Sequence, residues 1–234
     1  MTETVTHSHH ADPTAWTPGR QLPLPHRLFL VAHDYIVRRD SEARPLVHLP
    51  ALGIGLAGAA LIQLGISRRI YIRDGYVVAA TAQPIGDPFC DSVLGHIVAS
   101  LSPRLVGTWV QWLSGSTYDW IRNQLVDMGV LQAVVHRRMF STRTVYVLPD
   151  TTPYVQTRGA ISYAVLGRGH DEECGALCAL VTILRLESAL YMAMRSAEVR
   201  DRLTHIRRRA EPETIVVADV VETLIGDKSV AVYG

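Results

Sequence analysis

Apolar side chains recur every three to four residues over most of the chain, and this spacing predicts helices. Leu24, Leu28, Val31, Ala32 and Tyr35 trace one helix from Leu24 to Ile36. Residues 37–48 are charged and read as a loop or short strands. The stretch from Leu49 to Ile66 is apolar nearly all round, the signature of a central helix. Pro50 suits its first turn, and Gly55, Gly58 and Ala59 allow neighbours to come close. The period then changes to two. Ile70 and Ile72 alternate with polar residues, Asp74-Gly75 supplies a turn, and Tyr76 to Ala80 returns as the second strand of a hairpin.

Helical spacing resumes at Asp87, a good N-cap, followed by Pro88 at the first helical position. Arg104 to Leu113 is expected to be a helix carrying Trp109 and Trp112. Ser114-Gly115-Ser116 is expected to break it, and Ser116 to cap a further helix running to about Met128. Gly129 suits a left-handed C-cap. Val130–Val135 and Thr144–Leu148 form the arms of a second hairpin. Residues 149–158 read as a polar loop, and Glu173 to Ser196 as one long core helix. A basic segment follows at 199–209. A last helix starts at Glu211-Pro212, runs to Leu224 and stops at Gly226.

The elements add up to a mainly α protein: a single helical-core domain over residues 23–234 with two β-hairpins, one of them protruding. Residues 1–22 are polar and Pro-containing and read as a flexible tail. His7, His9 and His10 lie there, and a solvated tail is favoured over a metal site.

Composition supports this picture. Of 234 residues, 48% are hydrophobic and 19% charged, enough for a sizeable core and too apolar for disorder. The net charge of +1 provides no global field for nucleic acid. Lys228 is the only lysine, a bias that codon usage explains. The three cysteines form no framework and fit a reducing compartment. No apolar signal segment opens the chain, and the Leu49–Ile66 run is interrupted by four glycines and Gln63. The chain is therefore expected to be soluble and cytoplasmic.

Signatures of catalysis are absent. There is no GxSxG, P-loop, HExxH or well-placed GxGxxG. Asp87 and Asp91 read as a cap and a solvated first-turn acid, and Asp171, Glu172 and Glu173 likewise. His170 reads as a surface histidine. No enzyme activity, cofactor or metal is expected.

The stretch from His136 to Arg143 is the unusual one. It puts Met139 and Phe140 where a hairpin turns and surrounds them with Arg137, Arg138 and Arg143. Turns are normally small and polar. Helix, helix, hairpin is also the order of a winged-helix DNA reader, with Arg122 on the recognition helix. That helix carries two acids and one arginine, too little positive charge for a phosphate backbone. An anionic membrane surface suits the tip better. Burying Met139 and Phe140 would contribute at most roughly 3–6 kcal/mol. Each arginine adds about 1 kcal/mol near an anionic leaflet. After losses on immobilisation, one hairpin is a reversible anchor. The alternative is that Met139 and Phe140 pack on a protein, either this domain or a partner that includes a second copy.

Several stretches, in order, resemble the Golgi phosphoprotein 3 family: "GLAGAALIQLGISRRIYI", "DGYVVAA", "QPIGDPFCDSVL", "WVQWLSG" and "LVDMGVL", followed by the hairpin. The most specific is Pro84-Ile85-Gly86-Asp87 with Asp91 and Leu94. The resemblance spans roughly residues 24–225 and looks like a bacterial member. It implies a mainly helical, non-catalytic protein whose eukaryotic relatives bind phosphatidylinositol 4-phosphate and act as adaptors for glycosyltransferase tails. It also implies a hairpin used in membrane contact and self-association. The family's lipid-pocket residues are replaced here: its tryptophan falls on His48, its first arginine on Ala57, and two more on Gly115 and Tyr118. His48 and Arg122 are the remaining head-group candidates. The expectation is a peripheral membrane protein that binds anionic lipid, phosphoinositide-type included, through Arg137, Arg138, Met139, Phe140 and Arg143, with an adaptor role, protein cargo and a homo-oligomeric state. No nucleic-acid partner is expected.

Overall fold

A computed structural model describes residues 21–35, 43–138, 141–190 and 192–233. Among them are eight α-helices and three small antiparallel strand groups, so the fold is mainly α with small hairpins, as expected.

The first helix, α1 (Leu24–Val31), is shorter than its spacing predicts. After it, β1 (His33–Asp34) pairs with β2 (Arg44–Pro45). Helix α2 (Leu49–Ile66) follows, with Pro50 in its first turn. Its length and composition would suffice to cross a membrane, yet 72% of it is buried inside the protein. Close contacts fix it there. A Cβ on Gly53 would lie 2.5 Å from the Ser114 carbonyl oxygen, and one on Gly58 2.4 Å from a Val221 methyl group. Its one polar residue, Gln63, is used: Oε1 accepts from the Leu24 N–H at 2.7 Å and Nε2 donates to Glu173 at 3.0 Å. The helix is the axle of the core.

The first hairpin, β3 (Ile70–Arg73) and β4 (Tyr76–Ala79), turns at Asp74-Gly75 as predicted, with both residues at positive φ. A two-residue strand, β5 (Arg104–Leu105), adds to its edge. Between them lies α3 (Pro88–Val98), where the Asp87 side chain accepts from the Cys90 N–H at 2.8 Å. Asp91 is more than a solvated acid. Its carboxylate accepts from the Ile85 and Gly86 N–H groups at 2.6 and 3.0 Å, folding the Pro84–Gly86 turn against the helix.

Several expected boundaries moved. The break at Ser114-Gly115-Ser116 does not occur. One helix, α4 (Val106–Asp127), runs through it. Ser114 and Thr117 bond back to the Gln111 and Leu113 carbonyls, and burial against α2 outweighs the weak local propensity. Gly129 ends the run at φ +71°. The hairpin β6 (Gln132–Arg138) and β7 (Ser141–Val147) comes next. The expected loop at 149–158 is instead the start of α5 (Thr152–Val165), with Pro153 in its first turn. The long helix from Glu173 is shorter: α6 (Glu172–Ile183) stops before Arg185 at φ +55°, and a 3-10 turn spans Glu187–Leu190. The basic segment is α7 (Ser196–Arg207), and α8 (Pro212–Tyr233) passes through Gly226 without stopping. Of the expected tail, Gln21 and Leu22 lie against the body: Leu22 is buried and Gln21 donates to Glu173 at 3.0 Å.

Candidate functional site

The second hairpin leaves the body at the C-terminal end of α4. Val130, Leu131 and Val145 are buried at its root. Beyond the root, among the described residues, β6 and β7 pair with each other in a two-stranded sheet. The register sets Val135 opposite Thr144, His136 opposite Arg143, Arg137 opposite Thr142 and Arg138 opposite Ser141. The cations Arg137, Arg138 and Arg143 thus occupy adjacent rungs at the distal end. Arg143 is exposed. Met139 and Phe140 lie outside the described residues.

Arg122 belongs to the root. Its guanidinium sits 4.6 Å over the Tyr146 ring and 5.8 Å from Tyr118, while Nη1 meets Asp119 Oδ1 at 2.7 Å. Nη2 donates to Asn123 at 3.3 Å, and Nε is buried without a hydrogen-bond partner. The residue therefore clamps β7 to α4, with its charge met by Asp119. The Ala43 N–H donates to the Tyr146 carbonyl at 3.2 Å, a second tie on the same strand.

Beneath this clamp lies an aromatic ladder. Phe29 stacks on His33 at 4.1 Å, and Tyr118 lies 5.2 Å from Phe29. His33 Nδ1 is 2.7 Å from the Phe29 carbonyl, which can only accept, so that nitrogen carries the proton. Nε2 then accepts from the Tyr118 hydroxyl at 3.0 Å. Burial, opposed by the Phe29 bond, lowers the His33 pKa to about 4. Tyr35 and Tyr154 continue the ladder at 5.3 Å. Burial, with the Tyr118 and Tyr154 hydroxyls nearby, raises the Tyr35 phenol well above its ordinary value.

His48 is exposed at the start of α2 and makes no side-chain cap bond. Among the described residues, no hydrogen bond, ion pair or ring contact joins it to Arg122. The other positions that the sequence resemblance singled out differ in kind. Ala57 is fully buried in α2, Gly115 is exposed with open space around it, and Tyr118 is engaged by His33. The arrangement is a braced, cation-bearing hairpin on an aromatic base.

A second polar network lies beneath the N-terminus of α3. His26 is wholly buried, 3.8 Å from Asp87, which accepts from Gln124 at 2.7 Å. Burial lowers the His26 pKa against the pull of Asp87 and Gln124. Neither this network nor the His33 ladder was singled out from the sequence, because buried histidines on an apolar helix carry no local motif. Among the described residues, no group of three His, Cys, Asp or Glu could hold a metal ion. Cys90, Cys174 and Cys178 are buried free thiols.

The family model for Golgi phosphoprotein 3 (GPP34) matches residues 24–224. The match begins at the first residue of α1, includes both hairpins, and ends inside α8. It covers most of the sequence and every element that builds the site, and on that basis the chain belongs to the Golgi phosphoprotein 3 (GPP34) family.

Proposed function

We propose that this protein is a non-enzymatic, cytoplasmic protein that associates peripherally with membranes, docking its β6–β7 hairpin on anionic lipid and serving there as an adaptor. The observation that carries this reading is the hairpin itself: seven-residue strands that, among the described residues, form a two-stranded sheet with three arginines on adjacent distal rungs. An isolated two-stranded ribbon is marginal in water. This one is braced at its root by Arg122, Tyr146 and Val145, so its distal part stays available. Family membership supports the same direction. His48, exposed at the start of α2, is the remaining candidate to meet a head group, phosphoinositide-type included.

Sedimentation with vesicles of mixed phosphatidylcholine and phosphatidylglycerol tests it. Wild type is expected to co-sediment, and Met139→Asp/Phe140→Asp to lose most of that binding. Equal binding by the two would remove the hairpin from the mechanism. A second reading has the hairpin docking on a protein, its own copy included. Among the described residues no third strand joins β6 and β7, and the edge of a two-stranded sheet can recruit a further strand. Light scattering separates the two: an oligomer that the tip variant dissolves, without vesicle binding, supports the second.

A further inference from the structure

Residues 92–118 contain no Asp or Glu, although the chain has 22 of them. This acid-free stretch covers the second half of α3, the loop after it, β5 and the first half of α4. Much of it faces solvent. Leu101 is fully exposed on the loop, and Val98, Leu105 and Trp112 are 43–53% exposed. The polar groups among them are cationic or neutral. The Trp112 ring lies 4.9 Å from His96 and 5.7 Å from the buried Trp109, and the Arg104 guanidinium lies 5.4 Å from the Trp109 ring. Across the strand pair, Tyr76 is the register partner of Leu105 and is also exposed. The neighbouring acid Asp74 stands beside Arg73 at 3.9 Å.

We propose that the surface formed by His96, Leu101, Arg104, Leu105 and Trp112 is a second membrane-contact site that seats on an anionic lipid surface. The inference rests on the membrane reading above and adds a contact that the hairpin does not supply. Its chemistry is that of a bilayer interface. Trp112 and Tyr76 supply an indole and a phenol of the kind that suits head-group depth, Leu101 an exposed aliphatic side chain, and Arg104 and His96 groups that can meet phosphate. The missing carboxylates matter most, because each would be repelled by an anionic leaflet. A protein partner selects for no such absence, since carboxylates on the rim are an ordinary source of specificity.

Placement explains why the site would help. It lies at the N-terminal end of α4 and the hairpin at the C-terminal end. A 22-residue helix separates them by about 33 Å. Two weak contacts on one rigid body reinforce each other, because the first raises the effective concentration of the second. Between them the exposed face of α4 carries Gly115 and Ser116, which keep it low, then Asp119, whose charge is met by Arg122 at 2.7 Å, and Trp120, 41% exposed.

The test uses the full chain with phosphatidylcholine–phosphatidylglycerol vesicles whose acyl chains carry bromine, a short-range quencher of tryptophan. Wild-type fluorescence is expected to be quenched, and Trp112→Phe, compared at equal bound fraction, to lose most of the quenching. Leu101→Asp/Trp112→Asp, both at exposed positions, should keep the helical circular dichroism and lower vesicle partitioning about tenfold. Wild-type partitioning by that variant, alongside loss of binding in Arg137→Glu/Arg138→Glu, overturns this site and leaves the hairpin reading standing. No vesicle binding by wild type removes both. An oligomer dissolved by Leu101→Asp/Trp112→Asp, with vesicle binding unchanged, overturns the proposal in favour of a contact between copies.

Discussion

His33 makes the stability of this protein depend on pH in a calculable way. Its pKa lies near 4 in the folded state, lowered by burial against the pull of the Phe29 carbonyl. The unfolded chain restores the ordinary value of about 6.5. Between the two values the unfolded state binds a proton and the folded state does not, so stability falls as pH falls. The contribution is complete above pH 6.5 and lost progressively towards pH 4. From pH 7.5 to pH 5, before most carboxylates titrate, the loss comes to about 2 kcal/mol. His26 acts in the same direction, so wild type alone does not isolate the effect. The comparison with His33→Gln does. That variant is less stable at pH 7.5 because the Phe29 carbonyl and Tyr118 hydroxyl lose their fitted partner, by roughly 1–3 kcal/mol. Its own decline towards pH 5 should be smaller than that of wild type by about the 2 kcal/mol assigned to His33. Urea unfolding of both proteins at the two pH values measures this. Parallel declines would refute the argument that burial keeps the proton off His33.

Three further outcomes follow from the packing. Gly53→Ala places a methyl group 2.5 Å from a backbone oxygen and should cost about 1–3 kcal/mol in urea unfolding. Gly95→Ala, inside α3 with open space around it, should instead stabilise by about 0.5–1 kcal/mol. Arg122→Ala removes the guanidinium over Tyr146, a contact of about 0.5–2 kcal/mol. Hydrogen exchange at the amides of β6 and β7 should quicken several-fold while that of α2 stays unchanged.

The legible parts of the fold were those where one local signal decides the structure. Asp87 before Pro88, Asp74-Gly75 between strands and Gly129 after a helix each fix a boundary through backbone chemistry, and all three lie where the residues indicate. The errors occurred where tertiary burial competes with a weak signal. Ser114-Gly115-Ser116 looks like a break, but α4 is held straight through it by α2, whose Gly53 lies against Ser114. Gly226 is overridden in the same way within α8. The start of α5 could have been found, since Asp150 accepts from the Thr152 N–H at 2.9 Å and Pro153 follows in the first turn. At the site, the hairpin and its arginines were visible in the sequence. The Arg122–Tyr146 clamp was not, because it joins residues on different elements through a ring face, and neither residue type announces it.

Ala57 and Gly115, which the sequence resemblance sets against lipid-pocket arginines, lie in opposite environments. Ala57 is fully buried on the helix at the centre of the core. An arginine placed there has no route to water through close-packed neighbours, and burying an unpaired guanidinium costs several kcal/mol. Ala57→Arg is therefore expected to destabilise the whole domain, with a lower midpoint in urea and no gain in vesicle binding. Gly115 occupies the opposite environment. It is exposed on α4, and an added side chain meets nothing within 4 Å. Gly115→Arg should fold with wild-type stability or better, because arginine is a stronger helix former than glycine by several tenths of a kcal/mol. It also adds a cation to the face between the hairpin and Trp112, so affinity for anionic vesicles should rise in a salt-sensitive way. Wild-type stability in Ala57→Arg would mean that the packing around α2 leaves room for a charged side chain, and the pocket could then be rebuilt there. If that variant unfolds while Gly115→Arg gains affinity, the exposed face of α4, and not the interior beside α2, is where this fold accepts an anion-binding side chain.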